Sequence, residues 1–404
     1  MRMALVLTML FCAVSLATAA VLPGIDVLAS RNFDILAGKR IGLITNHTGR
    51  SGNGRSTIDV LHNAAGARLV ALFSPEHGIR GSEDVKLSSG IDPQSGLPIH
   101  SLYGKTCRPT PEMLRGIDIL LFDIQDIGTR FYTYIGTLSL AMEAAKKAGI
   151  PFVVLDRPNP IGGLAVGGAI PAYSLPEKAS GCGSITSIHP IPTRHGMTVG
   201  ELARLFNAEF RINCNLTVIP IEGWLRRMYL DETGLAWVNP SPNMKSLDAA
   251  ILYPGLGVLE TTNLSVGRGT ERPFLMYGAP WVDAVAVIAN LARREIPGLS
   301  FTPCSFVPGT PGHPHNGKRC FGVSVTVTNR EKLDPILAGL HLLQAFYETH
   351  PDRFRSYEGF VTEVGEREVW TLLTGKKMTP QAVADRWKID LERFRKVRER
   401  YLLY

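Results

Sequence analysis

The sequence predicts an α/β fold built on a parallel sheet, and three observations carry that reading. Short β-branched and aliphatic runs alternate with amphipathic segments through the first half of the chain. Their order, strand then helix then strand, builds right-handed βαβ units and hence parallel strands. Each run also stops at a polar cluster, as strands do where a parallel sheet presents its carboxyl ends to a ligand.

Taken in order, residues 40–45 (RIGLIT) form a buried-strand pattern, 56–64 a helix, and 67–73 (ARLVALF) a second strand. Residues 117–122 (IDILLF) make a third strand, 137–148 a helix and 150–155 (IPFVVL) a fourth strand. Residues 160–192 are rich in Gly and Pro and read as a long crossing between domains. A helix over 198–209 follows, with Thr198 as N-cap and Glu201 completing a capping box, then a strand at 216–221. Further on, the pattern gives a helix at 281–293, a strand at 321–328 and a helix at 331–347. A terminal helical pair is opened by Thr379 and packed by Trp387. The division expected from this reading is 1–20 as a leader, 21–165 as the sheet domain and 166–404 as a C-terminal domain that completes a cleft.

Composition narrows the class. With 45% hydrophobic and 20% charged residues, the 404-residue chain has ample material for a core. Residues 1–20 join one early arginine, a short apolar run and a small-residue ending, the pattern of a signal peptide, so a periplasmic or secreted protein without a membrane anchor is expected. Cys12 leaves with that leader, and of the remaining five cysteines Cys304 and Cys320 are the expected pair. The net charge of +7 is spread without Lys/Arg runs, which argues against nucleic acid as a partner and suits anionic cell-wall polymers or simply solubility.

The strand-end clusters carry Asn46 and His47, Glu76 and His77, Asp123 and Asp126, and Arg157 with Asn159. Hydrolysis of a sugar bond needs a carboxylic acid to protonate the leaving oxygen and usually a second carboxylate. Glu76, in a tight loop framed by Pro75 and Gly78, is the favoured acid, with Asp126 or Asp123 as the second group. Tyr132 and Tyr134 alternate along the next segment, so that one can offer a flat face to a sugar ring. Arg130, Arg157, Arg194 and Arg268 are four candidates for binding a carboxylate on the substrate. Three polar stretches in the second half add Arg194 and His195, then Asn239, Ser241 and Asn243, then Asn263, Arg268 and Glu271.

The chain lacks GxGxxG after the first strand, GxxxxGK[ST] and GxSxG, which disfavours a nucleotide cofactor and an esterase. His47, His77 and His195 lie in separate loops without metal-ligand spacing, so neither metal nor cofactor is expected.

Nine segments carry a resemblance: GLITNHTG (42–49), GRSTIDVLH (54–62), ALFSPEHGIRG (71–81), SLYGKTCRPTPEML (101–114), FDIQDIGTRFYTYI (122–135), VLDRPNPIGG (154–163), RHGMTVGELA (194–203), WVNPSPNM (237–244) and ETTNLSVGRGTERPF (260–274). In that order they resemble the exo-β-N-acetylmuramidases, a glycoside hydrolase family first known as a domain of unknown function. The resemblance implies a Rossmann-like N-terminal domain, a smaller α/β (α+β) C-terminal domain and an active cleft between them. It also implies removal of the terminal non-reducing β-1,4-linked N-acetylmuramic acid from muropeptides or disaccharides in cell-wall turnover. The family's proposed catalytic glutamate falls on Glu76. Cys107 and the pair Met244-Lys245 depart from the pattern, and neither touches the Glu76 loop. A protein that binds muropeptides in the same cleft without cutting them is the alternative.

Overall fold

The computed structural model describes residues 20–79, 89–172 and 185–404, so the leader expected at 1–20 lies almost wholly outside the described residues. Seven strands form the first sheet: β1 (Arg40–Thr45), β2 (Arg68–Ser74), β3 (Gly90–Ile91), β4 (Pro98–Ser101), β5 (Ile119–Asp123), β6 (Phe152–Leu155) and β7 (Leu216–Ile219), in the order β3-β4-β2-β1-β5-β6-β7. All neighbours run parallel except the β3-β4 edge pair. The central strands read as unbroken aliphatic runs because both faces are covered. Ile119 and Leu121 of β5 join the core beneath α1 (Gly24–Ser30) and α2 (Thr57–His62), while Leu120 and Phe122 join the core beneath α3 (Thr133–Ala148) and α4 (Val199–Glu209). α4 begins as its sequence dictates, with Thr198 and Glu201 forming the reciprocal capping box.

A smaller C-terminal unit adds α5 (Leu247–Leu256), β8 (Met276–Ala279), α6 (Ala284–Leu291), β9 (Leu299–Phe306), β10 (Cys320–Val327) and α7 (Pro335–Thr349). Four short helices follow: α8 (Gly359–Val364), α9 (Val369–Thr374), α10 (Pro380–Asp385) and α11 (Lys388–Glu399). β8, β10 and β9 form an antiparallel sheet in that order. One hydrophobic core runs from the α3/α4 face of the large sheet into this unit. The chain end also returns to the first unit, where Arg398 Nη2 donates to the Gly163 carbonyl at 2.8 Å and the Tyr404 hydroxyl to Asp156 at 2.7 Å.

The structure departs from the sequence reading at specific places. β7 pairs with β6 and α4 packs beside it, so a boundary at residue 165 leaves outside the sheet two elements that complete it. Cys304 and Cys320 are free thiols, as is Cys214, whereas Cys107 is disulfide-bonded. The β9-β10 register explains the correction: Cys304 faces Gly322, which leaves Cys320 on the diagonal, about 7 Å away and beyond the reach of an S–S bond. α5 escaped notice because it is apolar on every side and carries Pro254, which leaves no period to read. β9 escaped because Pro303 interrupts it, a residue tolerated there because β9 is an edge strand.

α5 and α7 cross at Gly255 and Gly339, where a Cβ on Gly255 would meet the Pro335 carbonyl oxygen at 1.6 Å. Gly255→Ala is therefore expected to cost about 2 kcal/mol or more in stability. Gly90→Ala, with no atom within 4 Å of its added carbon, is the neutral control. Equal urea midpoints for the two variants would contradict this packing argument.

Candidate active site

The sheet order places the switch point between β1 and β5, and the crevice beyond their carboxyl ends collects the loops that the sequence singled out. Under that crevice the Asp123 carboxylate is fully buried, taking both Nε and Nη2 of Arg157 and the Thr57 hydroxyl. Arg157 Nη2 also donates to the Arg50 carbonyl at 2.6 Å. Asp123 and Arg157 thus satisfy each other below the site, and neither offers its charge to a ligand.

The loop after β2 is tightly turned. Gly78 N donates to the Pro75 carbonyl at 3.3 Å, and His77 and Gly78 both take left-handed backbone, at φ 67 and 75. A histidine there is a strained choice, of the kind found where a site fixes a side chain's direction. The turn presents Glu76, whose Oε2 accepts the Thr133 hydroxyl at 2.7 Å. Thr133 opens α3, so the carboxyl is tied to a rigid helix start.

Glu76 opens into a cavity of about 470 Å³, within the range of small-ligand sites. The first unit contributes Glu76, His77, Tyr103, Phe131, Tyr132 and Thr133. Later segments contribute Ser241, Met244, Tyr253, Arg268, Phe274, His313 and Glu363, so the cavity lies between the two units. Arg268 is held by Glu260 through Nε and Nη2 and lies over the Phe274 ring at 5.2 Å. Tyr132 meets Tyr134 and Tyr253 edge to face at 5.1 and 6.0 Å.

Behind the lining, Asp126 and His195 are buried, with His195 Nε2 3.8 Å from Asp126 Oδ2. Burial pushes the Asp126 carboxyl up to about 7, against the pull of the Gly128 and Ile127 N–H groups. His195 is pushed down to about 3 by burial and then by Arg398 and Arg194. Its Nδ1 accepts the Met197 N–H at 3.2 Å, which makes Nε2 the protonated nitrogen of the neutral ring. Asn46 caps Thr48 N at 2.9 Å, and His47 Nε2 meets the Asn239 carbonyl at 2.7 Å.

Of the residues singled out from sequence, Glu76, His77, Tyr132, Ser241 and Arg268 come together in the lining. Asp126 and His195 stand behind it, while the Tyr134 hydroxyl is turned to the Pro240 carbonyl. The rest lie outside the lining. Arg130 grips the Thr362 and Glu363 carbonyls, Arg194 the Ile161 carbonyl, and Asn159 the Met197 carbonyl. Asn239 takes the Trp237 indole N–H and Asn243 the Gly269 N–H, while Asn263 braces residues 353 and 355. The Glu271 side chain is 97% exposed beside Lys245 and outside the lining. Thr133, Tyr253, Phe274, His313 and Glu363 were not anticipated. Thr133 lies within the FDIQDIGTRFYTYI segment, between the two tyrosines whose alternation dominates that stretch. Among the described residues, no group of three or more His, Cys, Asp or Glu is arranged to hold a metal.

Comparison with known proteins places this geometry. Residues 41–248 match the family model described as Exo-beta-N-acetylmuramidase NamZ, N-terminal, and residues 251–404 match its C-terminal counterpart. The chain is 43% identical over 385 residues to the peptidoglycan beta-N-acetylmuramidase NamZ of Bacillus subtilis (strain 168), covering 94% of this chain and 91% of that protein. A solved DUF1343 family protein from Bacteroides fragilis superposes with a TM-score of 0.86 at 38% identity, covering 95% of this chain and 99% of its own. A second from the same organism gives 0.74 at 33% identity, covering 96% and 99%.

The buried Asp126 carries a stability signature. Its carboxyl titrates near 7 in the fold against 3.8 for the free side chain, so the folded state holds the proton more tightly. Its contribution is then full below about pH 4 and is lost as pH rises to about 7. Asp126→Asn stays neutral throughout. Relative to wild type it should gain a few kcal/mol of stability between about pH 4 and pH 8. A difference in Tm that does not change with pH would refute the buried, protonated carboxyl.

Proposed function

The chain belongs to the exo-β-N-acetylmuramidase family of glycoside hydrolases, and from that premise we propose that Glu76 is the general acid that releases terminal N-acetylmuramic acid from peptidoglycan fragments. The observation that carries the assignment is the Glu76 carboxyl, exposed to the cavity and oriented by the Thr133 hydroxyl at 2.7 Å.

In this reading the non-reducing terminal sugar of a disaccharide or muropeptide occupies the cavity, with Tyr132 and Phe274 among the residues that line it. Glu76 delivers its proton to the glycosidic oxygen as the C1–O bond breaks. The leaving sugar departs as an alcohol, and positive charge develops on C1 and the ring oxygen. Water completes the bond to C1 and gives up a proton, restoring the acid over the cycle. Asp126, only 4% exposed and outside the lining, acts on the Tyr132 side of the wall as a positioning group. Asp123 has no part in the chemistry beyond holding Arg157.

Arg268 alone of the four candidate arginines lines the cavity, which supports it as the partner of the lactyl carboxylate. A carrier that binds fragments without cutting them is less well supported, since the 43% identical relative is named for its hydrolase activity. The first 20 residues support export to the compartment where peptidoglycan lies.

Release of N-acetylmuramic acid from a muramyl-β-1,4-glucosaminyl disaccharide tests the acid directly. Glu76→Gln is expected to lower kcat by about a hundredfold or more, with KM and Tm little changed. Thr133→Val, which removes only the orienting hydroxyl, is expected to lower kcat by about tenfold. Retention of about a tenth of wild-type kcat by folded Glu76→Gln would sink the assignment.

A further inference from the structure

The cavity holds a second carboxyl that bond cleavage leaves unused. Glu363 stands in the last turn of α8, and its side chain lines the cavity along with Glu76 and Arg268. α8 is fixed there by the first unit. Arg130 donates Nη1 to the Thr362 carbonyl at 3.0 Å and Nη2 to the Glu363 carbonyl at 2.6 Å. Gly365 continues at φ 92 with Arg130 Nη2 3.0 Å from where a Cβ would lie, so the backbone under Glu363 is tightly enclosed. An enclosed carboxyl facing a ligand cavity, held by a clamp from another unit, has the construction of a recognition group.

We propose that Glu363 is a substrate-recognition residue that, together with Arg268, grips the lactyl carboxylate by which muramic acid differs from glucosamine. The proposal rests on the muramidase reading and extends it to a named specificity contact.

Charge balance supports this assignment. The groups that act on Glu363 are Glu260, Arg268, Arg130 and Tyr253, and His313 stands 3.7 Å from Glu260. Arg268 is already matched by Glu260, and Arg130 donates to backbone carbonyls. A substrate carboxylate arriving beside Arg268 thus meets the Glu260 charge, and an ionised Glu363 would add a third negative charge in a partly desolvated space. A protonated Glu363 instead donates a short O–H···O⁻ bond to the newcomer. Burial first, and then the Glu260 carboxylate, hold the Glu363 carboxyl well above the usual range, against the pull of Arg130 and Arg268. Glucosamine, with a hydroxyl in place of the lactyl group, leaves this donor without its charged acceptor, which is how a polar pocket rejects a truncated analogue.

The test is calorimetric titration of wild type, Glu363→Gln and Glu363→Ala with N-acetylmuramic acid and with N-acetylglucosamine, in a pH series from about 5 to about 10. Wild type should prefer N-acetylmuramic acid and lose affinity for it as pH rises through the Glu363 transition. Glu363→Gln, a donor that cannot ionise, should keep the low-pH affinity and abolish the Glu363-linked loss. Glu363→Ala should weaken N-acetylmuramic acid binding by about tenfold or more and leave N-acetylglucosamine binding unchanged. The inference is overturned if folded Glu363→Ala binds N-acetylmuramic acid within about twofold of wild type, or if Glu363→Gln retains the full wild-type pH dependence. Turnover of the disaccharide, measured in parallel, separates the two readings. The binding pattern without turnover keeps the recognition role and removes the hydrolytic one, whereas turnover without the pattern removes only the recognition role.

Discussion

A buried ion pair beneath the cleft ties the strand ends together. Asp123, at the end of β5, takes the guanidinium of Arg157 from the loop after β6 and the hydroxyl of Thr57 from the start of α2. Its backbone carbonyl takes the Thr45 hydroxyl from the end of β1 at 2.7 Å, and Arg157 reaches on to the Arg50 carbonyl. One aspartate, through its carboxylate and its backbone carbonyl, therefore ties together three neighbouring strand ends and the start of α2. The desolvation of both charges is offset only because each has several partners, and removing one partner of such a pair costs about 3–5 kcal/mol. The loops above inherit this rigidity, and Gln125 passes it on by donating to the Asp126 and Pro158 carbonyls.

A second arginine joins the two units. Arg130 is almost wholly buried and sends its guanidinium across to the backbone of α8, so the wall that carries Glu363 is held in place from the sheet side. The chain terminus closes the assembly elsewhere, with Arg398 and Tyr404 bonded to the first unit and Leu403 N donating to Glu201 Oε1 at 2.8 Å. The cleft between the units is consequently a fixed space framed by charged hydrogen bonds, and catalytic geometry of this kind depends on such preorganisation.

The electrostatics of the cleft follow from where water is excluded. Asp126 and His195, a pair that would form a salt bridge at the surface, are both driven toward their neutral forms by burial. Glu76 sits farther out, at the cavity wall, where its carboxyl accepts the Thr133 hydroxyl. Carboxyls contributed by one set of strand-end loops thus divide into a scaffold charge at Asp123, a buried neutral acid at Asp126 and a cavity acid at Glu76. Depth below the cleft separates Glu76 from the other two, and the Arg157 guanidinium separates Asp123 from Asp126.

By itself the sequence determined the parallel sheet, the helix cap at Thr198 and the turn that carries Glu76, because these depend on local patterns: aliphatic runs, a capping box and a constrained turn after a strand. It also brought Asp123, Arg157 and Arg130 into the candidate set without separating scaffold from site, since a charged residue at a strand end looks alike in either role. Only the tertiary structure decided that Arg157 turns down to Asp123, that Arg130 crosses to α8 and that Arg268 alone of the four arginines faces the cavity. Glu363 was beyond reach for the same reason, being the one charged residue of a six-residue helix, GFVTEV, too short to show a period. Burial and partnership are properties of residues distant in the chain, and they fix which of several identical side chains faces the cavity.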